Sequence, residues 1–429
     1  MSGETSWRQD AAKRISDQIA LHLSNPENLA PSRNPDPLVR ASLASGFPGL
    51  SLVYAARMHQ GDKKDRATAH WYLKQAAENL KLRDRQVMGF HYDGCGLGFA
   101  LSMAQTAGGG YTGALAQLDE EAARSAQALC RHVDSIALGS MARFDVLNGL
   151  AGVARYLLMR DPQGRVLERV LTCLCEMLMP ADHFNCEVPR FWSTTPPNWQ
   201  PPTGTRAWEG GHLNLGLAHG IAGPLAVLSI ASLQQVKVPG QDLAITGIVE
   251  LLERFQGIDE YGIFWPNTLT LDEFASPSMR PARSRVSWCY GAPGVSRALQ
   301  LAGQACGRDD WLRTAHSSVR ALCALPMEKW MVDHWSMCHG WAGIMHILRY
   351  FTDGRDGDQV GRLIDTIAEK ILGIFSEGLP NRFEVGMMDI PPGNHPAGIL
   401  EGVAGLGLAL QSYAEREDSI PWDMAFLMQ

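Results

Sequence analysis

The feature that most constrains this fold is a short glycine phrase, G-x-x-G, that recurs along the chain and each time opens an apolar run. Six complete copies begin at Gly46, Gly149, Gly220, Gly291, Gly340 and Gly402, and a degenerate copy, one residue short, lies at Gly94-Cys95-Gly96. One such phrase predicts little, but self-similarity along a whole chain is typical of repeat architectures. We interpret each phrase and the run that follows it as one repeating unit.

Two kinds of helix are predicted to alternate between the phrases. The segment around Val360, Ile364, Ile367 and Ile371 carries an amphipathic stripe, which predicts an outer helix. The run at 406–410 is apolar on most sides, which predicts a buried inner helix. Seven alternations predict an all-α fold, an α/α toroid of seven inner and seven outer helices in a single domain, 1–429. An open solenoid is the alternative, but the first and last copies show no polar capping face.

Two wider gaps interrupt the repeats, at 186–211 and 257–284. The first holds Pro196-Pro197 and Pro201-Pro202, which cannot continue a helix, and the second holds a short strand-like run at 261–266. We expect both to be loop or β insertions at the rim of the active site. Their aromatic residues either contact a peptide substrate or pack on themselves as a lid.

Polar residues directly precede the first glycine of each phrase. They are Ser45, Asp93, Asn148, His219, Tyr290, His339 and Glu401. If the inner helices run parallel, these side chains share one end of the fold with seven helix N-termini, whose dipoles stabilise anions. The sequence therefore predicts a site suited to negative charge.

Two of the phrases also carry metal-type ligands at matched positions. Cys289 lies two residues before Gly291, and Cys338-His339 directly precedes Gly340. Zinc binds cysteine sulfur and histidine nitrogen tetrahedrally, and a catalytic site keeps one position open. Cys289, Cys338 and His339 are thus predicted to hold a catalytic Zn²⁺. We expect the other seven cysteines to be core residues, including the C-x-C pair Cys173 and Cys175.

Composition excludes several classes of protein. The net charge is -7 and no Lys/Arg run occurs, so a nucleic-acid partner is not expected. The N-terminus lacks an apolar signal core, and no transmembrane segment is expected. Nine cysteines scattered through 429 residues indicate reduced thiols. We expect a cytoplasmic protein, either free or held at the membrane by a biosynthetic complex.

Four segments together resemble the lanthionine synthetase C-like family, the cyclases of class I lanthipeptide (lanthionine antibiotic) biosynthesis. They are 144–152, 214–221, 288–291 and 338–340, they occur in the family's order, and the likeness covers essentially the whole chain. The resemblance implies the toroid fold and the zinc ligands already predicted. It also implies acid/base roles for His219 and Asp145, with Arg285 and Tyr290 in support.

The implied reaction is an intramolecular Michael addition. A cysteine thiolate of a dehydrated precursor peptide, leader plus core, adds to dehydroalanine or dehydrobutyrine and forms a thioether ring. The resulting enolate needs a cation such as Arg285 and a general acid such as His219. A lanthipeptide dehydratase and a transporter are the further partners that the resemblance implies.

Two other functions remain open. A non-cyclising relative that binds zinc and a thiol such as glutathione, or acts as a scaffold, would keep the metal ligands but not need His219 or Arg285. A toroid glycosidase would need a carboxylate pair, which Asp93 and Glu401 could supply. The Cys-Cys-His ligand set would then have no purpose.

Overall fold

The computed structural model describes ten stretches of the chain. They are residues 2–25, 36–58, 63–82, 89–92, 94–197, 208–276, 282–354, 356–375, 397–416 and 418–429. The predicted candidate Asp93 and the proline pair 201–202 lie outside them.

Seven helices begin at or directly after the glycine phrases, and these are the inner helices. They are α3 (Phe47–Arg57), α5 (Gly94–Thr106), α7 (Leu150–Arg160), α9 (Ala222–Leu233), α12 (Ala292–Cys306), α14 (Trp341–Leu348) and α16 (Val403–Glu415). Their residues are buried on nearly all sides; in α14 every residue is buried. Side chains of this kind find apolar partners in all directions, as the continuous apolar runs predict.

In the described part of the chain, seven further helices, most of them longer and amphipathic, alternate with them, and these are the outer helices. They are α1 (Ser2–Leu23), α4 (Lys63–Lys81), α6 (Thr112–Ser135), α8 (Arg165–Glu176), α10 (Gln241–Arg254), α13 (Asp309–Ala324) and α15 (Gly357–Phe375). In α15 the buried positions include Val360, Ile364, Ile367 and Ile371, the stripe that periodicity predicts.

The remaining elements are short. Helices α2 (Pro37–Ala41) and α11 (Leu271–Ala275) add one turn each, and the strands are β1 (Pro180–His183), β2 (Cys186–Pro189), β3 (His212–Asn214), β4 (Gly257–Asp259), β5 (Gly262–Phe264) and β6 (Thr268–Thr270). They form three antiparallel pairs, β1–β2, β3–β6 and β4–β5. The boundaries predicted for the two insertions stay a prediction, as does the single domain.

The chain divides into two compact units. Unit 1 comprises Met1–Glu121 and Val332–Ala425, and unit 2 comprises Ala122–Met331 and Phe426–Gln429. In unit 1, α1 packs on α16, and α16 packs on α3, so the first and last repeats are neighbours. An open solenoid would keep them apart. In unit 2, α9 packs between α7 and α12, and α12 packs on α13.

The second glycine of a phrase is required because the helix start approaches backbone six residues upstream. A Cβ on Gly343 would lie 1.9 Å from the carbonyl oxygen of Met337, closer than any real contact. Gly291 adds a second requirement, because its φ of 77° lies in the region that only glycine enters without strain. The recurring phrase therefore reflects a recurring backbone contact.

The same contact corrects the alignment of the degenerate phrase. A Cβ on Gly96 would lie 2.7 Å from the carbonyl oxygen of Phe90, six residues upstream, so Gly96 is the second glycine of its phrase. The sequence interpretation took Gly94 as the first glycine. Counting back from Gly96 puts Asp93 in the first-glycine position instead, and Tyr92 in the position of the polar residue before it.

Backbone hydrogen bonds connect neighbouring glycine turns within each unit. In unit 1, Cys338 N donates to Leu400 O at 2.9 Å, and Leu400 N donates to Ala44 O at 3.1 Å. In unit 2, Val146 N donates to Ala218 O at 2.9 Å, and Leu217 N donates to Cys289 O at 3.0 Å. Each turn is thus held in register with the next, and so are the polar side chains on it.

No helix of the described part of the chain is long and apolar enough to cross a bilayer.

Candidate active site

A buried aspartate and a histidine form the best-defined polar contact on the glycine turns of unit 2. His219 Nδ1 lies 2.7 Å from Asp145 Oδ2. The other carboxylate oxygen, Oδ1, accepts the backbone N–H groups of Asn148 at 2.6 Å and Gly149 at 2.9 Å. The Asp145 side chain is 2% exposed and that of His219 is 14% exposed. One carboxylate oxygen therefore fixes the local turn, and the other orients an imidazole whose ring stays partly open.

The surroundings of His219 favour its protonated form. Burial acts to lower the pKa of the imidazole, but the hydrogen bond and charge of Asp145, together with the charge of the Cys289 sulfur, outweigh it and raise the pKa above its usual value. A histidine held protonated and partly exposed can give a proton to a substrate.

Cys289 and Tyr290 belong to the same network of turns. The Cys289 side chain is nearly buried, and the Ser287 hydroxyl lies 3.3 Å from its Sγ, close enough to donate a hydrogen bond to a thiolate. The Tyr290 hydroxyl accepts a hydrogen bond from Asn214 Nδ2 at 3.1 Å. Asn214 and His219 lie on one loop, so Tyr290, Cys289 and His219 share one backbone framework.

Arg285 leads into the same turn and is half-buried. Among the residues that the structure describes, its guanidinium has no hydrogen bond or ion pair. A half-buried cation of this kind is available to an anionic substrate group.

Unit 1 contributes a second group of polar side chains on its own glycine turns. His339 Nδ1 lies 3.2 Å from Glu401 Oε1, and the His334 ring centroid lies 5.7 Å from that of His339. One ligand atom from each of His334, His339 and Glu401 falls within 4.8 Å of the others, a spacing that suits a metal ion. Cys338 is nearly buried and bonds to Glu401.

The charge of Glu401 follows from its neighbours. Burial acts to raise the pKa of this carboxyl, but hydrogen bonds from His339 and Cys338 and the charge of His334 outweigh it and lower the pKa. An anionic Glu401 beside Nδ1 of His339 orients the ring as in the usual carboxylate–histidine–metal arrangement, in which Nε2 is the ligand atom. The donors Cys338 and His339 are thus of the kind that zinc binds.

The structure brings together some of the predicted site residues. Asp145 bonds His219, and both share a turn network with Cys289 and Tyr290. Cys338 and His339 lie in unit 1 and Cys289 in unit 2, so the three-ligand zinc set stays a prediction. Sequence reasoning missed His334, although a second histidine five residues before His339 was a visible signal, and it assigned Glu401 no role toward His339.

The expectation that the other seven cysteines are core residues is only partly right. Cys95, Cys130 and Cys173 are buried, whereas Cys175, Cys186, Cys306 and Cys323 are partly exposed. Their helices or strands lie at the surface, and an apolar run does not show which of its faces is covered. His346 is a satisfied core residue, with Nε2 2.9 Å from Asp423 Oδ2.

Comparison with known proteins decides the family. The model of the family described as lanthionine synthetase C-like protein matches residues 37–427. The chain belongs to the lanthionine synthetase C-like family. The resemblance of the four motif segments is thereby confirmed.

Two named members of the family resemble the chain. The nisin biosynthesis protein NisC of Lactococcus lactis subsp. lactis is 25% identical over 288 residues, which cover 66% of this chain and 64% of that protein, so the match spans less than two thirds of NisC. The solved structure of nisin cyclase has a TM-score of 0.75 at 20% identity and covers 97% of this chain and 98% of its own. This structural likeness confirms the predicted fold class, the all-α α/α toroid.

Proposed function

We propose that this protein is a zinc-dependent lanthipeptide cyclase. It would add cysteine thiols of a dehydrated precursor peptide, leader plus core, to dehydroalanine or dehydrobutyrine and so form lanthionine and methyllanthionine rings. The observation that carries the proposal is the 2.7 Å contact between His219 Nδ1 and Asp145 Oδ2, on the same turn network as Cys289 and Tyr290. Family membership and the likeness to two proteins named for nisin support it.

The proposed site residues have different functions in the first half of the reaction, the formation of the carbon–sulfur bond. Cys289, Cys338 and His339 would hold Zn²⁺, which when bound lowers the pKa of a coordinated thiol so that a thiolate forms near neutral pH. The thiolate sulfur then bonds to the β-carbon, and the electron pair of the double bond moves toward the carbonyl as an enolate. Arg285 offsets that negative charge.

The second half of the reaction is a proton transfer. His219, held protonated by Asp145, gives its Nε2 proton to Cα and later recovers one from solvent. One proton leaves the thiol and one arrives at Cα, so the peptide's mass does not change. The Tyr290 hydroxyl accepts a hydrogen bond from Asn214 Nδ2, which leaves its own O–H proton to donate beside this proton path.

The partners follow from the same reaction. A dehydratase must act first, because only dehydrated Ser or Thr accepts the thiol, and a transporter would remove the product. We place the reaction in the cytoplasm, where reduced thiols persist.

The test compares two classes of variant. His219→Ala and Arg285→Ala are expected to keep the zinc content of the wild type but lose ring formation by about 10²- to 10⁴-fold. Cys289→Ala and Cys338→Ala are expected to contain about one zinc per chain less than the wild type. Free thiols of a dehydrated peptide, counted by alkylation before and after incubation, measure ring formation, and elemental analysis measures zinc. If His219→Ala and Arg285→Ala kept full ring formation, the roles assigned to these two residues would be wrong. If the wild type bound thiols without forming rings, the non-cyclising function would be the correct one.

A further inference from the structure

A second group of metal-type donors lies in unit 2, on the facing outer helices α6 and α8. On α6, Cys130 precedes Asp134 by four residues, and on α8, Cys173 precedes Glu176 by three. Residues three or four apart lie on one face of a helix. Three of these donors, Asp134, Cys173 and Glu176, therefore meet in one place, and Cys130 lies beside Cys173.

The donor atoms lie close together. Ligand atoms of Asp134, Cys173 and Glu176 all fall within 4.8 Å of one another, and Cys173 Sγ is 4.0 Å from Asp134 Oδ1. The Cys130 thiol lies close enough to the Cys173 thiol for each to shift the pKa of the other. Both cysteines are buried, at 2% and 0% exposure, whereas the two carboxylates are exposed. The thiols thus form the buried side of the cluster, and the exposed carboxylates form its rim, the side from which an ion can enter.

A cation already occupies the rim. Arg169 NH2 lies 2.7 Å from Asp134 Oδ1 and 2.6 Å from Oδ2, and its NH1 lies 3.5 Å from Glu176 Oε2. One guanidinium therefore joins both carboxylates. It marks the point where positive charge is favoured, and because its side chain is 39% exposed it can move aside.

We propose that Cys130, Cys173, Asp134 and Glu176 form a second metal site that binds a thiophilic divalent ion, Zn²⁺ above all, when Arg169 swings out. Zinc accepts two sulfurs at ~2.3 Å and two carboxylate oxygens at ~2.1 Å in a tetrahedron, so neighbouring donors must lie roughly 3.5 Å apart. Rotation of the exposed Asp134 and Glu176 side chains would shorten the distances between donor atoms by about 1 Å, to the separation that zinc requires. The thiols exclude Mg²⁺ and Ca²⁺, which prefer all-oxygen sites.

The bound ion would cross-link helices α6 and α8, because its ligands come from both. It lies outside the glycine turns, and none of its four ligands is a proposed catalytic or zinc-binding residue. The inference is therefore independent of the cyclase function and survives if that function is wrong. By mass action, an ion that binds only the folded state also raises thermal stability in a concentration-dependent way.

The experiment titrates metal-free, reduced, full-length protein with Co²⁺ and then Zn²⁺. Thiolate-to-cobalt charge-transfer absorption reports cysteine ligation, and elemental analysis after dialysis reports stoichiometry. Cys130→Ser and Cys173→Ser are expected to weaken binding at this site at least ten-fold, whereas Cys175→Ser, on the same helix, is a matched control that leaves it unchanged. A Cys289→Ala/Cys338→Ala protein is expected to keep this charge-transfer signal.

Two surface variants keep the inference falsifiable if the buried serine variants do not fold. Arg169→Ala is expected to tighten metal binding about five-fold by removing the competing ion pairs. Asp134→Asn together with Glu176→Gln is expected to weaken it at least ten-fold. Unchanged affinity in the cysteine or carboxylate variants, weaker binding in Arg169→Ala, or the absence of a charge-transfer signal in the Cys289→Ala/Cys338→Ala protein would each overturn the proposal.

Discussion

At the scale of single residues, Asp145 shows how one buried carboxylate serves both fold and chemistry. Oδ1 accepts two backbone N–H groups of its own turn, and Oδ2 accepts from His219. Asparagine can keep the first function, because its amide oxygen also accepts N–H groups. It then turns an NH₂ group toward the imidazole and cannot hold the same tautomer.

Asp145→Asn is therefore expected to leave the fold and zinc content intact and to slow ring formation by about 10²-fold or more, the cost of a misoriented acid/base histidine. Asp145→Ala is expected also to destabilise the protein by about 1–3 kcal/mol, because buried N–H groups lose their acceptor. The alkylation assay and urea unfolding separate the two effects. Equal activity of Asp145→Asn and the wild type would remove Asp145 from the mechanism.

A different histidine predicts the pH dependence of stability. His212 is fully buried, and burial lowers its pKa to about 4. In the unfolded chain the pKa is about 6.5, so the unfolded state binds more protons between these values. The contribution of neutral, buried His212 to the free energy of unfolding is therefore complete above pH 6.5 and is lost as the pH falls toward 4. At pH 5 about 2 kcal/mol of it is lost.

The measurement is urea unfolding at pH 7.5 and pH 5. His212→Gln, which cannot titrate, is expected to lose less stability than the wild type over this interval. If both proteins lost the same amount, His212 would not be the group responsible.

At the scale of elements, each inner helix depends on the close backbone approach at its start. Gly343→Ala is expected to destabilise the protein by about 3 kcal/mol or more, because the added carbon meets the Met337 carbonyl and neither group can move without shifting the turn that carries Cys338 and His339.

Gly361→Ala in α15 is the control. Nothing lies within 4 Å of a Cβ there, so this change is expected to stabilise the helix by about 0.5–1 kcal/mol. Thermal unfolding of the two variants checks both signs. Similar melting temperatures would contradict the role assigned to the glycine contact.

The elements are also where sequence reasoning succeeded most fully. The inner and outer helices were predictable because each has a local cause, a glycine phrase or an amphipathic stripe. The pairing of Asp145 with His219 came only through family resemblance, since the two residues are far apart in the chain. The clusters around His334 and Cys130 were not predicted, because the first forms between loops and glycine turns and the second between helices, and no local pattern encodes these contacts.

At the scale of the whole molecule, the last residues of the described chain complete unit 2 rather than unit 1. Trp288 Nε1 donates to Phe426 O at 2.9 Å, Arg297 Nε to Met428 O at 2.8 Å, and Arg155 Nε to Gln429 O at 3.1 Å. Both arginines are buried. Three buried N–H donors on or beside the inner helices therefore have their acceptors in the segment 426–429.

Removal of residues 426–429 is expected to destabilise unit 2 by about 3 kcal/mol or more, since each buried donor left without its acceptor costs about 1–3 kcal/mol. Met428→Ala, which keeps the backbone acceptor, is the comparison and is expected to lose only side-chain packing. Proteolytic cleavage within unit 2, mapped by mass spectrometry, reports the difference. Equal protease resistance of the truncated and full-length proteins would contradict it.

The packing of α1 on α16 governs the order in which the protein can fold as it is made. Ser16 Oγ donates to Gly407 O at 2.9 Å in a buried contact between residues 391 positions apart. A ribosome releases α1 before the helix that covers its apolar stripe, and 391 positions separate the two contacting residues. The nascent chain must therefore carry an uncovered apolar face while the intervening residues are made, and such a face is a binding site for chaperones.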